Sequence, residues 1–284
     1  MDFDEIARAQ FRLDTNCSKE MEEQYRIMIN ERKEIEGARR FEGLSTFFYG
    51  IIYKGDAYIM ADSDILPWVK EKYGKSKPEW FCKFPNLRAL DHELNSHGYE
   101  IADTHVYFLP DERYFEWNEK EIYDIPHNRK EASEIFKEEP KKIEGTDMEL
   151  LWFYDDEIRE FAELHRGEGK DGLFPHSLVY SKTQPDRIAV AAVDNGKMVA
   201  MSGVSEDGKY LWQIGIDVDP EYEGMGLAKY LTSLMRDKIL SLGKLPFYGT
   251  SESHSLSMDV AIRSGFIPAW TEVVVKKISK DDNE

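Results

Sequence analysis

The first half of the chain alternates between helical and extended spacing of its apolar residues. Residues 1–40 are charged and carry apolar residues at loosely helical intervals, which favours helix. Aromatic and β-branched residues flank a Lys-Gly-Asp turn within residues 44–60, a pattern typical of a β-hairpin. Leucines on one face predict a helix over residues 86–97, and residues 99–109 predict a strand. We interpret this half as a small α/β unit.

The second half is more regular and follows a stretch dense in Lys and Glu at residues 128–144, which we interpret as the connection between two domains. Two extended runs around an Asn-Gly pair predict a hairpin. Apolar spacing predicts the other elements: a helix at 155–165, a strand at 210–218, a long helix from 227 to a stop at Gly243, a strand at 246–251, a helix at 257–264 and a strand at 269–277. This order is typical of an α+β mixed sheet with helices packed on it. We place the domains at residues 1–145 and 146–284.

The composition and net charge of the chain limit which binding partners and which cellular compartment we expect. A chain of 284 residues with 41% hydrophobic content is large enough for two packed cores. Its formal net charge of −18 disfavours nucleic acid and anionic membranes as partners, because these are polyanions themselves. No secretion signal opens the sequence and no apolar run is long enough to span a bilayer, so we expect a soluble, cytoplasmic protein.

Cysteine and histidine positions give no metal site. Cys17 and Cys82 have no neighbouring Cys or His at zinc-site spacing. The histidines other than His254 also lack metal-ligand spacing, and we expect neither a metal nor chemistry from them: His92, His97, His105, His127, His165 and His176.

The junction between the predicted strand at 210–218 and the long helix is the most informative segment for chemistry. A strand that turns tightly through Gly224 and Gly226 into a helix brings several backbone N–H groups to one point, at the positive end of the helix dipole. Glycine at these two positions also leaves room for close approach of a phosphate group. The junction therefore predicts an anion site.

The order of elements and two motifs resemble the GNAT superfamily of acyl-CoA-dependent N-acetyltransferases. Residues 221–226 are similar to motif A of that family, usually (Gln/Arg)-x-x-Gly-x-(Gly/Ala) after a strand that ends in Val. Residues 253–266 are similar to motif B, in which Ser257 precedes Gly265 by the family's spacing. The resemblance covers about residues 150–278 and implies the mixed-sheet GNAT fold there.

The resemblance also implies acetyl-CoA as the acyl donor and a set of contacts to it. The backbones of Ile216 and Val218 would pair with the pantetheine arm in the manner of an added strand. His254 and Ser257 would lie along the cofactor arm. The N–H groups that would hold the pyrophosphate belong to Glu223, Gly224, Met225, Gly226, Leu227 and Ala228. The N-terminal half is similar, less specifically, to the leading domain of two-part bacterial acetyltransferases.

The sequence departs from the family pattern at the anion site and at the proton donor. Glu221 replaces the usual Gln or Arg, and Glu223 stands where a basic residue is common, so two acids lie beside the predicted pyrophosphate site. Ala261 replaces the Tyr that many members use to protonate the departing thiolate. Tyr248, His254 and solvent are the alternatives for that proton.

Direct transfer also needs a base that takes a proton from the acceptor ammonium. Asp217 lies between two apolar residues of the predicted strand, and a buried carboxylate can be a good base. The alternative is a structural Asp217, hydrogen-bonded to backbone or to an Arg. Glu252 and His254 are further candidates, because both follow a predicted strand in a polar run. Gln213 would orient the acceptor or, alternatively, form hydrogen bonds on the sheet face.

These features together predict an N-acyltransferase that moves an acetyl or similar acyl group from acyl-CoA to an amine. The acceptor would be a small molecule or a peptide, and the acidic protein suits a cationic one. One alternative is a degenerate GNAT domain that senses acyl-CoA or binds a protein partner without turnover. Another is an N-terminal protein-binding module that presents a protein acceptor. The sequence leaves the oligomeric state open.

Overall fold

The computed structural model describes residues 2–115, 126–136, 139–164, 174–179 and 181–279. Ten strands in these residues have the following bounds: β1 Ile27–Glu31, β2 Ser45–Tyr53, β3 Asp56–Ala61, β4 Tyr99–Pro110, β5 Glu149–Tyr154, β6 Asp186–Asp194, β7 Lys197–Ser205, β8 Leu211–Val218, β9 Leu245–Thr250 and β10 Phe266–Lys277. They form one sheet in the order β1-β3-β2-β10-β4-β9-β8-β7-β6-β5. The β1–β3 and β8–β9 pairs are parallel and the others are antiparallel, so the sheet is mixed.

Eight α-helices accompany the sheet: α1 Phe3–Asp14, α2 Lys19–Gln24, α3 Leu66–Tyr73, α4 Phe84–Ser96, α5 Arg129–Ile135, α6 Asp155–Leu164, α7 Leu227–Ser241 and α8 Ser255–Arg263, all within the described ranges. We call the two faces of the sheet the α7 face, which also carries α4 and α8, and the α1 face, which also carries α6. None of these helices is long and apolar enough to cross a membrane.

Helix α7 packs on the sheet through one apolar stripe. Leu227, Leu231, Met235 and Ile239 recur every four residues and are buried in the same core cluster as residues of β6, β7 and β8. Burying such a side chain completely contributes about 1.5–3 kcal/mol. The stripe fixes the helix against β8, so the turn that joins the two elements has a defined position.

Strand β4 joins the two halves of the chain. It lies between β9 and β10, and pairs Val106 with Thr250 on one side and with Thr271 on the other. A buried ion cluster joins the same halves: Arg39 contacts Asp14 at 2.7 Å and Glu272 at 2.6 Å, and all three side chains are fully buried. The division at about residue 145 stays a prediction, and the strands on its two sides belong to one sheet.

The structure confirms the α+β mixed sheet and most elements expected from apolar spacing. The hairpin predicted within residues 44–60 is β2–β3, and the Asn-Gly hairpin is β6–β7. Of the predicted helix at 155–165, the last residue lies outside the described ranges. Periodicity did not reveal α3 or β1.

Candidate active site

The sheet opens at the point where β8 and β9 part. The two strands pair from Leu211↔Leu245 to Ile214↔Tyr248 and no further. On its other side β8 remains paired with β7 as far as Val218. The backbone groups of residues 215–218 that face β9 therefore have no strand partner among the described residues. This free edge includes Ile216 and Val218, and it can accept an extended ligand.

The free edge leads into the predicted anion site. A short 3-10 turn, Pro220–Tyr222, follows β8, and the backbone then passes through Gly224 and Gly226 with φ of 78° and 83°. These left-handed angles explain both glycines, and no atom lies within 4 Å of where a Cβ would stand at either position. Gly226 is the N-cap of α7 and no side chain caps the helix. The first N–H groups of α7 are therefore available to an anion in open space.

The acids beside this turn are not equivalent. Lys197 Nζ lies 2.7 Å from Asp219 and 3.8 Å from Glu221, and its hydrogen bond holds the pKa of Asp219 below the usual range. Glu223 is exposed and has no ion-pair partner among the described residues. In the first turn of α7, Lys229 is exposed and supplies a cation that motif spacing did not reveal. Of the two acids, Glu223 is therefore the one that we expect to repel a bound pyrophosphate.

Asp217 anchors a crossing segment of backbone. Its Oδ2 accepts hydrogen bonds from the N–H of His176 at 2.8 Å, and from the N–H and Oγ of Ser177 at 2.7 and 2.9 Å. This segment lies directly on the sheet, because a Cβ at Gly215 would stand 1.9 Å from the carbonyl oxygen of His176. Another at Gly203 would stand 2.1 Å from that of Ser177. These bonds fit the structural alternative for Asp217, and its role as a base stays a prediction.

Glu252 and His254 lie in the exposed loop that leaves β9, next to the opening. His254 precedes α8 as its N-cap residue, but its side chain caps no backbone group. Burial raises the pKa of Cys82 to about 11, and the nearby charge of Glu252 contributes to this shift. The loop therefore approaches the segment between α3 and α4 as well as the opening.

Tyr248 lies in the last residue pair before β8 and β9 part. Its hydroxyl is 2.9 Å from Ser257 Oγ in the first turn of α8, so the two predicted positions meet on the α7 face. Burial raises the pKa of Tyr248 above its ordinary value, and the nearby charge of Asp217 adds to this. Sequence alone could not place this tyrosine, because its position depends on the parallel pairing of β8 with β9.

The side chains of Tyr107 and Gln213 both lie close to Gly249 on the α1 face, which is opposite the α7 face. A Cβ at Gly249 would stand 2.6 Å from Tyr107 Cε1 and 3.2 Å from Gln213 Nε2. Tyr107 also stacks on Trp270 with ring centroids 4.9 Å apart. Gly249 therefore lets a side chain from the N-terminal half reach the mouth of the opening. Sequence analysis missed Tyr107, since nothing local indicated that β4 enters this sheet.

One group of possible metal ligands occurs in the described residues. His127, Asp155 and Asp156 place ligand atoms within 4.8 Å of one another. Asp155, however, already accepts from Arg187 at 2.9 Å and from Arg159 at 2.9 Å. These guanidinium groups supply the positive charge that a metal would otherwise bring. Asp155 and Asp156 begin α6 and His127 lies just before α5, so the group is apart from the opening.

Comparison with known proteins agrees with this geometry. The sequence model of the acetyltransferase (GNAT) family matches residues 111–254, about half of the chain, and the chain belongs to this family. A search of curated proteins gave no match. The family match begins upstream of the expected domain boundary and includes β5 to β9 with α7.

Solved structures provide distant similarities. A GCN5-related N-acetyltransferase from Kribbella flavida is 14% identical, with 67% of this chain and 64% of that chain covered and a TM-score of 0.39. A GCN5-related N-acetyltransferase-like protein from Streptococcus suis is 13% identical, with 66% and 68% covered and a TM-score of 0.37. The protein yncA from Salmonella typhimurium, solved with its cofactor acetyl-CoA, is 12% identical, with 48% and 96% covered and a TM-score of 0.32. At these levels none assigns a substrate.

Proposed function

We propose that this protein transfers an acetyl or similar acyl group from acyl-CoA to the amine of an acceptor. The observation that carries the proposal is the free edge of β8, which runs without interruption into the uncapped, glycine-bearing start of α7. An extended arm that ends in phosphates matches this arrangement, because strand-like pairing and an anion site follow each other along one path.

In this proposal different backbone groups of the chain bind different parts of acyl-CoA. The backbones of Ile216 and Val218 hold the pantetheine arm, and the N–H groups of residues 223–228 hold the pyrophosphate. The acyl-CoA supplies a thioester. The acceptor amine, once deprotonated, attacks the thioester carbonyl and the C–N bond forms. The C–S bond then breaks, and the nitrogen releases a second proton to solvent, which leaves a neutral amide. The thiolate that leaves then takes a proton.

Tyr248 is the proton donor that the geometry favours for that thiolate. Its hydroxyl lies on the α7 face, where the arm would pass, and Ser257 holds it in place. Ser257 thereby acts through Tyr248 in addition to lying along the cofactor arm. His254, in the exposed loop, is the alternative donor.

In this proposal the acceptor is a small-molecule or peptide amine. The protein is cytoplasmic, because the acyl-CoA that it uses is found there. The N-terminal half contributes to the acceptor side through β4. A sensor that binds acyl-CoA without turnover is the second candidate function, since Glu223 opposes a pyrophosphate and Ala261 stands at the family's tyrosine position.

The test is thiol release from acetyl-CoA in the presence of a panel of amines, with calorimetry of acetyl-CoA binding beside it. We expect thiol release that depends on both the amine and the protein. Binding of acetyl-CoA without thiol release for any amine would support the sensor instead. Neither binding nor release would refute both functions.

A further inference from the structure

We propose that His105, on β4, is the general base that takes the proton from the acceptor amine, with the Asp103 carboxylate close to its ring. This inference rests on the proposed acyl transfer. It assigns the base to a strand of the N-terminal half, and its first support is the register of the sheet around the opening.

The register places His105 directly across the opening from Asp217. Strand β9 pairs Tyr248 with Ile214 of β8 and Thr250 with Val106 of β4, and then ends. One residue beyond that end, the flanking positions are Asp217 on β8 and His105 on β4. Two regular strand spacings, about 10 Å, are the lower limit for the distance between their backbones, because β8 parts from β9 before β9 ends. A thioester carbonyl and an amine fit in a gap of that width.

His105 lies on the α1 face of the opening. It is paired with Glu272 of β10, as Tyr107 is with Trp270, and residues directly opposite in a sheet share a face. Tyr107, two residues further along β4 on this face, lies against Gly249, as does Gln213 of β8. Helix α7 and the anion site are on the other face, so an acyl-CoA arm and an acceptor amine approach the opening from opposite sides.

The surroundings of His105 suit a base. Its Nε2 lies 3.5 Å from Asp103 Oδ2, and the side chains are 30% and 52% exposed. Nδ1 has no hydrogen-bond partner among the described residues, so its lone pair is available, and the Asp103 carboxylate lies near the other ring nitrogen. The proton moves from the acceptor ammonium to Nδ1, and the imidazolium that forms faces the Asp103 carboxylate.

Other charged groups around His105 are predominantly acidic. Glu272 of β10 is fully buried, and its Oε1 lies 2.6 Å from Arg39 and accepts from Trp270 Nε1 at 2.7 Å. Its Oε2 has no hydrogen-bond partner within the part of the chain that the structure describes. Asp217 lies across the opening, and Glu252 is in the loop above it. Burial raises the pKa of the neighbouring Tyr107 well above its usual range, and the charges of Glu272, Asp207 and Asp103 add to this.

The candidates named from sequence are less suited to this role. Asp217 Oδ2 is occupied by three donors that hold the crossing segment. Glu252 and His254 are exposed, and neither has a side-chain partner among the described residues to orient it. Compared with these candidates, His105 has both a nearby carboxylate and a position on the acceptor side of the opening.

The test compares His105→Gln with His97→Gln in the full chain. Gln keeps a donor near the position of Nε2 but cannot act as a base. His97 is a matched control, because its Nε2 lies 3.7 Å from Glu93 Oε1, its side chain is 29% exposed, and it ends α4 away from the opening. We expect His105→Gln to lower kcat by about a hundredfold to ten-thousandfold with acetyl-CoA affinity unchanged, and His97→Gln to change neither.

The pH profile separates catalysis from structure. A histidine base gives kcat/KM an acid limb, because imidazole changes charge between about pH 5 and 8. That limb should be absent in His105→Gln. In Asp103→Asn the limb should remain, because His105 is still present, while kcat should fall by a smaller factor than in His105→Gln. Asp103→Asn also carries the test if His105→Gln does not fold.

The assignment would be overturned if the wild type turns over and His105→Gln has a normal kcat and an unchanged acid limb. The proposed function would still stand. An unchanged kcat in a folded Asp103→Asn would contradict the part assigned to Asp103. A 100-fold loss in Asp217→Asn with normal folding and acetyl-CoA affinity would return the role to Asp217. Absence of thiol release from the wild type with every amine would refute the proposed function, and this assignment with it.

Discussion

The charge of Glu223 gives the sharpest test of where the phosphates bind. In the proposed complex this side chain lies beside the pyrophosphate, and it is exposed and unpaired among the described residues. Glu221, two residues earlier, is also exposed but lies 3.8 Å from Lys197. Replacing each by Gln removes one negative charge from nearly the same place. The pair therefore separates the effect of a free acid from that of a neutralised one.

The expected magnitude follows from Coulomb's law. At about 7 Å in water, a unit charge and each phosphate charge interact by roughly 0.6 kcal/mol, so two phosphate charges give about 1.2 kcal/mol. At about 0.01 M salt most of this remains, and Glu223→Gln should tighten acetyl-CoA binding by about fivefold. Glu223→Arg should tighten it by roughly tenfold, after allowance for a mobile exposed side chain. At about 0.15 M salt both gains should fall to about twofold.

Isothermal titration of acetyl-CoA at the two salt concentrations measures these changes directly. Glu221→Gln should change the affinity by less than Glu223→Gln, because Lys197 already offsets its charge. Equal affinities for wild type, Glu223→Gln and Glu223→Arg at low salt would show that this side chain does not approach the phosphates. The proposed path of the cofactor past residues 223–228 would then be wrong.

Two further substitutions test the framework around the opening. Gly215→Ala would bring a Cβ to 1.9 Å from the His176 carbonyl oxygen and displace the segment held by Asp217, so we expect the free energy of unfolding to fall by about 2–4 kcal/mol. The control is Gly50→Ala, where the nearest atom is 3.3 Å away on a phenyl ring, and it should lower Tm far less in thermal melts. Equal Tm values for the two variants would refute the crossing contact. Burial raises the pKa of Asp207 from 3.8 to about 7, so the folded protein keeps this carboxyl protonated at pH values where the unfolded chain loses the proton. The free energy of unfolding of the wild type should therefore fall by up to about 4 kcal/mol as pH rises from about 4 to 7. Denaturant titrations across that range should show no such fall for Asp207→Asn, and the same pH dependence in both proteins would contradict the prediction.

Much of the fold could be predicted because local patterns determine it. The glycine turn before α7, the Asn-Gly hairpin and the apolar stripe of α7 are each encoded within about 15 residues. The anion site follows from the same local signals, since a glycine turn into a helix start creates it wherever it occurs. These elements lie where the sequence indicated.

The acceptor side could not be predicted in this way. Tyr107 and His105 reach the opening only because β4 inserts between β9 and β10, about 140 residues away in sequence from its neighbour β9. Asp217 similarly depends on a crossing segment about 40 residues upstream. Apolar alternation indicates that a strand exists, but it does not specify its neighbours, so contacts made by distant pairing stay hidden.

The central claim is that acyl groups pass from CoA to an amine through the opening between β8 and β9. Transfer of label from [14C]acetyl-CoA to the best amine of the panel tests it most directly, with Gly226→Trp to block the start of α7 and Gly145→Trp as its control. Both glycines have positive φ, 83° and 77°, and open space where a Cβ would stand, so the backbone strain is matched. We predict labelled product from wild type and Gly145→Trp, and none from a folded Gly226→Trp. Undiminished transfer by Gly226→Trp, or no labelled product from the wild type, would contradict the account.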